Sequence, residues 1–154
     1  MAQDSGRILA VSISSQKGQP KENVHEAMLI EDWGLEGDAH AGKWNRQVSL
    51  LAFEAIQRMR ELGAEVEPGD FGENLTLEGF DLKGVRVGDL LAAGDAILEV
   101  TQIGKECHTH CAIYEQVGEC VMPVEGIFAR VVKGGKLKAG MGITRIEAGA
   151  GADA

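Results

Sequence analysis

The sequence predicts a single domain that is mainly β, with a few helices and a curled sheet. Its 154 residues include 21 glycines and only three prolines, which favours tight turns and close backbone approaches, as in small barrels. Most apolar runs are short and strand-like, and Gly-Asp pairs separate several of them at 69–70, 88–89 and 94–95. No internal repeat, linker or shift in composition divides the chain, so we expect one domain over residues 7–146.

The individual elements are predicted from local patterning. The spacing of apolar residues becomes helical from Ser49, and Gly63 ends that run. A second short helix is expected over 124–132, and the tail 147–154 is expected to be disordered. Strands are expected at residues 7–15, 24–30, 74–77, 85–87, 96–103 and 143–146.

The charge balance restricts the partners that the protein can have. A formal net charge of -9 argues against a sequence-independent grip on nucleic acid or on an anionic membrane, because such contacts need clustered Lys and Arg. The chain begins without a basic region followed by an apolar stretch, and no segment approaches the roughly 20 apolar residues that span a bilayer. We therefore expect a cytoplasmic protein that binds neither nucleic acid nor membrane.

The densest group of reactive side chains lies in the segment IGKECHTHCAIYEQVGEC. Soft metal ligands and thiols are concentrated there: Cys107, His108, His110, Cys111 and Cys120. Tetrahedral zinc takes such ligands, although the two-residue gaps of the familiar zinc fingers and ribbons are missing. Zinc is therefore one possible occupant of this segment.

Thiol chemistry is the second interpretation of the same segment. One cysteine would act as a thiolate nucleophile, a sulfur carrier or a soft metal ligand, with Lys105 or a nearby histidine stabilising the thiolate. Simple burial as a small apolar side chain is the alternative, and Cys120, between Val117 and Val121, fits it best.

Two polar loops offer groups that can bind a ligand. The first places cations and hydrogen-bond donors just before the predicted helix start at Ser49, which suits an oxyanion site: Asp38, His40, Lys43, Arg46 and Gln47. The second surrounds Phe71 and Gly72 with groups that suit a hard cation or the polar groups of a ligand: Asp70, Glu73 and Asn74. Alternatively, the first loop is a solvated crossing, and Asp70 and Asn74 cap their own turns.

Three segments together resemble the MOSC family, which is named for the C-terminal domain of molybdenum cofactor sulfurase. They are GLEGDAHAG with RQVSLL, then GDFGENLTLEG, then VGDLLAAGDAILEVTQIGKECH, in the family's order. The likeness spans residues 7–146 and is greatest to the small stand-alone bacterial members. It implies an α+β fold with a closed or partly closed β-barrel, and a role in handling molybdenum-pterin or sulfur.

The resemblance also implies roles for particular residues. The family's characteristic cysteine, proposed in related enzymes to carry sulfur or to ligate molybdenum, aligns with Cys107 as the catalytic position. Many members have an arginine and a proline just before it, whereas this chain has Gly104, Lys105 and Glu106. The residues expected to bind the molybdenum cofactor (molybdopterin) are Asp38, His40, Lys43, Arg46, Gln47, Asp70, Glu73, Asn74 and Lys105.

Three functions remain open at this stage. The first is an accessory role in molybdenum cofactor metabolism, with a cysteine desulfurase-type sulfur donor, a molybdoenzyme or a cofactor-biosynthesis protein as partner. The second is a noncatalytic binding module in which the Cys and His cluster forms a zinc clip. The third is a cofactor-loaded reductase of N-hydroxylated compounds, which would need electrons from a partner protein.

Overall fold

The computed structural model describes residues 5–16, 20–104 and 126–146. Strands predominate in this part of the chain, as the sequence predicts. The elements are β1 (Ser5–Ile13), β2 (Glu22–Asn23), β3 (Glu26–Ile30), β4 (Gly34–Leu35), β5 (Val48–Ala52), α1 (Phe53–Glu61), β6 (Leu75–Glu78), a short 3-10 helix (Leu82–Gly84), β7 (Leu90–Ala93), β8 (Ala96–Ile103), β9 (Ile127–Lys133), β10 (Gly135–Lys138) and β11 (Gly142–Ile146).

Seven of these strands form a closed barrel. Their order is β11-β7-β8-β9-β5-β6-β1, and β1 pairs back with β11, so the sheet closes on itself. Within this ring only β5 and β6 run parallel. Since parallel neighbours need a crossover connection, the helix α1 lies between them in the chain. The prediction of a mainly β, barrel-like fold with few helices is confirmed.

The two faces of β5 explain how the core is divided. Leu50 points into the barrel interior, where it joins Ile8 and Leu75. Its neighbour Leu51 points the opposite way and packs with Ile56 of α1 in a second apolar cluster. Because successive side chains of a strand alternate between faces, a strand buried on both faces must be apolar throughout. The run VSLLA meets that requirement except at Ser49, whose buried hydroxyl donates a hydrogen bond to the Gly72 oxygen at 3.1 Å.

One predicted helix is confirmed with a later start, and the other is wrong. The helix expected from Ser49 begins instead at Phe53, and residues 48–52 form β5, paired with β6 and β9. The helix expected over 124–132 is contradicted by β9, which lies between β5 and β8. In both segments, pairing and burial between two neighbouring strands override the local helical spacing of apolar residues.

Several predicted strands are confirmed within a few residues, and one is wrong. The segments 74–77, 96–103 and 143–146 correspond to β6, β8 and β11. Residues 85–87 do not form a strand, because they follow the 3-10 helix and lead into a turn before β7. The predicted tail, 147–154, lies outside the described residues.

A smaller three-stranded sheet accompanies the barrel, in the order β10-β3-β4. The strand predicted over 24–30 begins only at Glu26, since His25 has a φ of 69°, which extended backbone does not allow. The long connection that follows β4 carries the first polar loop across the barrel to β5.

Gly69 allows a close approach between two segments that are distant in sequence. It has a φ of 97°, and a Cβ atom on it would lie 2.1 Å from the backbone oxygen of Lys21. Gly63 has a similar φ of 103°, but its Cβ would meet nothing within 4 Å. A side chain at Gly63 would therefore cause backbone strain alone, whereas one at Gly69 would cause backbone strain together with a steric clash.

We expect Gly63→Ala to lower the free energy of unfolding by roughly 1 kcal/mol, from backbone strain alone. Gly69→Ala should lower it by about 3 kcal/mol, because the Lys21 backbone must also move. Urea denaturation of both variants measures the difference. Equal losses would show that the contact between Gly69 and Lys21 relaxes without cost.

Candidate functional site

A buried ion pair lies at the centre of the polar cluster. Lys21 Nζ is 2.7 Å from Asp38 Oδ1, and neither side chain is exposed. The carboxylate also accepts hydrogen bonds from the backbone N–H of Ser14, at 3.1 Å, and of His40, at 3.2 Å. Asp38, predicted as a ligand-binding residue, is therefore engaged by partners within the protein. Lys21 was missed, because nothing in the QPKEN loop distinguishes it from a solvated lysine.

Lys21 also connects the two polar loops. Its side chain holds Asp38 of the first loop, while its backbone N–H donates to the oxygen of Gly69, next to the second loop, at 2.8 Å. The close approach at Gly69 makes this contact possible. Segments around positions 21, 38 and 69 are thus brought together at one place on the barrel.

His40 is held in place from two sides. Its Nδ1 lies 2.9 Å from Lys21 Nζ. The Trp44 indole N–H donates to the backbone oxygen of His40 at 2.8 Å, and the two rings lie nearly parallel, at 9°, with their centroids 6.3 Å apart. The imidazole is thereby fixed between a buried ammonium and an indole.

Arg46 also lies close to Trp44. Its guanidinium carbon is 4.6 Å from the centroid of the Trp44 ring and 5.8 Å from that of Phe128. Within residues 5–16, 20–104 and 126–146, the guanidinium forms no hydrogen bond or ion pair, so its N–H donors have no acceptor in this part of the protein. Such a fork, half-buried against aromatic rings, is ready to receive an anion. Lys43, in the same loop, is exposed.

The side chain of Gln47, also predicted to bind the cofactor, is hydrogen-bonded within the protein. It is fully buried, and its Oε1 accepts a hydrogen bond from the backbone N–H of Val131 at 2.8 Å. Its Nε2 donates to Asp32 Oδ1 at 3.1 Å. The side chain therefore joins the turn after β3 to β9.

The second loop contains two side chains that bond to the backbone. Asn74 is fully buried; its Oδ1 accepts from the Ser49 N–H at 2.9 Å, and its Nδ2 donates to the Ser12 oxygen at 3.0 Å. Asn74 thus joins β1 to β5. Asp70 Oδ2 accepts from the Glu67 N–H at 2.8 Å, which is the turn-capping role given as the alternative.

Glu73 is a buried carboxyl group with one unsatisfied oxygen. Its Oε2 accepts hydrogen bonds from the Gly69 N–H and the Thr76 hydroxyl, each at 2.9 Å. Its Oε1 has no partner among the described residues. Burial raises the pKa of Glu73 above its ordinary value, against the opposing effect of these hydrogen bonds.

The first polar loop lies against the end of β8. Asn45 Nδ2 donates to Gln102 Oε1 at 2.9 Å, and the Thr101 hydroxyl donates to the backbone oxygen of Asn45. Next along the chain, the Gly104 N–H donates to the oxygen of Gly126 at 2.7 Å, which joins the two ends of segment 105–125. The loop that carries Arg46 and the flanking residues Gly104 and Gly126 therefore lie at the same end of the β8–β9 pair.

The cysteine and histidine segment itself lies outside the described residues. The residues concerned are Lys105, Cys107, His108, His110, Cys111 and Cys120, and their roles stay predictions. In the part of the chain that the structure describes, no three His, Cys, Asp or Glu residues are grouped as metal ligands. Among the same residues, no helix is long and apolar enough to cross a membrane.

The family model described as the MOSC domain matches residues 37–144, which include both polar loops and the strands that carry them. The chain belongs to the MOSC family. The resemblance expected from the three motifs is thereby confirmed. Among curated proteins, none matches the sequence significantly.

Solved structures share the fold of this MOSC domain at low sequence identity. The YuaD protein from Bacillus subtilis matches with a TM-score of 0.78 at 16% identity, over 93% of this chain and 96% of that one. YiiM from Geobacillus stearothermophilus matches with a TM-score of 0.68 at 22% identity, over 95% of this chain and 77% of that one. YiiM from Escherichia coli gives 0.60 at 22% identity, over 96% and 70%. At this identity the similarity shows the fold alone.

The ion pair of this MOSC domain predicts a large coupling between Lys21 and Asp38. Lys21→Met should lower the free energy of unfolding by about 3–5 kcal/mol, because it leaves a buried carboxylate without its cation. Adding Asp38→Asn should recover part of that loss, and urea denaturation of the four proteins gives the coupling energy. The exposed pair Arg7 and Glu78 is the control, with an expected coupling of about 0.5 kcal/mol. Equal couplings would contradict the assigned role of burial.

The raised pKa of Glu73 predicts that the free energy of unfolding depends on pH. Since burial raises the folded pKa of Glu73 above its ordinary value of 4.5, the folded state keeps a proton that the unfolded state has lost. The free energy of unfolding should therefore fall, relative to Glu73→Gln, as the pH rises from about 4.5 through the folded pKa. Denaturation at a series of pH values measures this difference.

Thr76→Val provides the matched variant for that measurement. Its hydroxyl lowers the pKa of Glu73, so its removal should move the end of the pH-dependent range upward. A difference between wild type and Glu73→Gln that does not change with pH would show that the buried carboxyl costs no free energy when it ionises.

Proposed function

We propose that this protein is a cytoplasmic accessory factor of molybdenum cofactor metabolism. It binds the anionic, phosphate-bearing part of a molybdenum-pterin at Arg46, and Cys107 presents sulfur to the cofactor or ligates its metal. Membership of the MOSC family supports the general assignment. The observation that carries the specific proposal is the guanidinium of Arg46, held against Trp44 and Phe128 without an acceptor among the described residues.

Chain geometry supports a common site for Arg46 and Cys107. Cys107 is three residues beyond Gly104, so its Cα can lie no more than about 11 Å from that of Gly104. Gly104 in turn accepts a hydrogen bond from Gln102 Nε2, and Gln102 bonds to Asn45, next to Arg46 in the chain. This short connection supports the proposal that one ligand contacts both the guanidinium and the thiol.

The residues present suit the cofactor in their chemistry. An arginine fork and the exposed Lys43 match an anionic phosphate group, and a thiolate is a soft ligand that molybdenum accepts. The bound cofactor would supply a metal centre able to take a sulfur ligand. Asp38, Gln47 and Asn74 act indirectly in this proposal, because their polar atoms bond within the protein and shape the loops that carry the ligand-binding side chains.

Sulfur reaches Cys107 from a partner of the desulfurase type. The Cys107 thiolate attacks the terminal sulfur of the partner's persulfide, a new S–S bond forms on Cys107, and the partner's thiolate leaves. The reducing cytoplasm keeps the receiving thiol free for this step. The Trp44 and Phe128 rings both lie close to the Arg46 guanidinium and partly cover it.

Arg46→Gln should reduce the cofactor that copurifies with the untagged protein by roughly tenfold or more, since it removes a charged hydrogen-bonding fork. The measurement is the pterin fluorescence of the denatured protein after expression in a host that makes the cofactor. Arg60→Gln is the matched control, because Arg60 also lies over an aromatic ring, Phe53, at 5.3 Å, but on α1. Arg60→Gln should retain the cofactor.

Cys107→Ser should abolish the persulfide mass on the protein after exposure to a cysteine desulfurase with cysteine. A Cys107→Ser protein that keeps both full cofactor binding and sulfur uptake would contradict the proposal, as would full retention of the cofactor by Arg46→Gln. Stoichiometric zinc that resists mild chelation and stabilises the fold would favour the metal clip instead.

A further inference from the structure

The hydrogen bonds of Lys21 determine where His40 carries its proton. An ammonium group has three N–H donors and no acceptor, so every partner of Nζ must accept. Three atoms surround it: Asp38 Oδ1 at 2.7 Å, His40 Nδ1 at 2.9 Å and Ser14 Oγ at 3.2 Å. The Ser14 hydroxyl directs its own proton to the Gln16 oxygen at 3.1 Å, in agreement with this direction of donation. His40 Nδ1 must therefore be the unprotonated nitrogen.

We propose that Lys21 is a positioning residue that holds His40 as a neutral imidazole with its proton on Nε2. In that state His40 is uncharged, and its ring N–H donor is Nε2. Its Nδ1 lone pair is occupied by the ammonium, so that nitrogen is unavailable as a base or a metal ligand. The positive charge of the site then comes from Arg46, whose guanidinium lies over the Trp44 ring.

The charges of the cluster support the neutral state. Lys21 and Asp38 cancel each other, and both side chains are fully buried. A proton added to Nδ1 would place an imidazolium N–H against an ammonium N–H at 2.9 Å, in surroundings that screen the repulsion poorly.

The same contacts fix the orientation of the ring. Asp38 Oδ2 accepts from the backbone N–H of His40, and the Trp44 indole N–H binds its backbone oxygen. The Trp44 ring lies nearly parallel to the imidazole, at 9°. Rotation of the ring by half a turn would place a carbon at Lys21 Nζ and leave a buried ammonium proton without its acceptor.

A neutral donor beside a permanent cation selects for a particular kind of ligand group. The group must accept hydrogen bonds, as a phosphate or carbonyl oxygen does, and its binding does not depend on a charged histidine. The role of His40 toward the ligand rests on the proposed function, whereas its protonation state can be tested without any cofactor.

The test is 15N NMR of the imidazole nitrogens of the cofactor-free protein, with His40→Gln used to assign the signals. In the wild type we expect an unprotonated Nδ1 and a protonated Nε2 from about pH 8 to about pH 5, the range in which histidine ordinarily changes charge. Protonation of both nitrogens within that range, or a proton on Nδ1, would overturn the proposal, whatever Arg46→Gln does to cofactor binding.

Two variants separate positioning from a merely structural role. In Lys21→Met the buried carboxylate of Asp38 loses its cation, so His40 should take up a proton and show two protonated nitrogens at about pH 7. In Lys21→Met with Asp38→Asn the imidazole should be neutral again. A His40 signal that stays the same in all three folded proteins would refute the role of Lys21, and the wild-type spectrum alone decides the tautomer if a variant does not fold.

Discussion

The arrangement of the polar loops depends on the buried ion pair between Lys21 and Asp38. Removing two charges from water costs several kcal/mol for each ion, and their attraction offsets this only if hydrogen bonds satisfy the remaining polar positions. Those hydrogen bonds come from Ser14, just after β1, and from His40, in the loop before β5. The cost of the pair is therefore offset only in one arrangement of three separate segments. In this way an interaction of small net stability specifies a conformation.

Burial divides the polar residues of the loops into two groups. Asp38, Gln47 and Asn74 are buried, and each bonds to backbone from another part of the chain. Arg46 lies at the edge of the same region but rests on aromatic rings. A guanidinium is weakly hydrated and stacks on aromatic faces, so it tolerates half-burial without a carboxylate partner. The buried side chains thus fix the loop that carries Arg46.

Much of the fold could be predicted from the sequence, because its turns and alternating strands are local signals. The strand β8 was predicted at 96–103, where the structure has it, since its apolar residues alternate and Gly-Asp precedes it. The segments of β5 and β9 were misassigned as helical, because they are buried on both faces and so lack alternation. A strand of that kind is identified only by its neighbours, which are distant in sequence.

The candidate site was predictable in composition but not in the role of each residue. Asp38, His40 and Arg46 were chosen because charged and hydrogen-bonding groups cluster before β5. Whether such a group faces a ligand or the protein depends on partners such as Lys21, which no local pattern reveals. The order of the motifs along the chain identified the family, although charge and spacing alone did not.

The hydrogen bond between Gly104 and Gly126 has an evolutionary consequence. It joins the two residues that flank segment 105–125, next to the paired residues Ile103 and Ile127, so the register of β8 and β9 is set by contacts outside that segment. Doubling the length of such a closed loop costs only about 0.6 kcal/mol of chain entropy. The barrel therefore tolerates changes in the length and sequence of this segment. New reactive side chains can arise there by insertion or recombination without loss of the β8–β9 pairing.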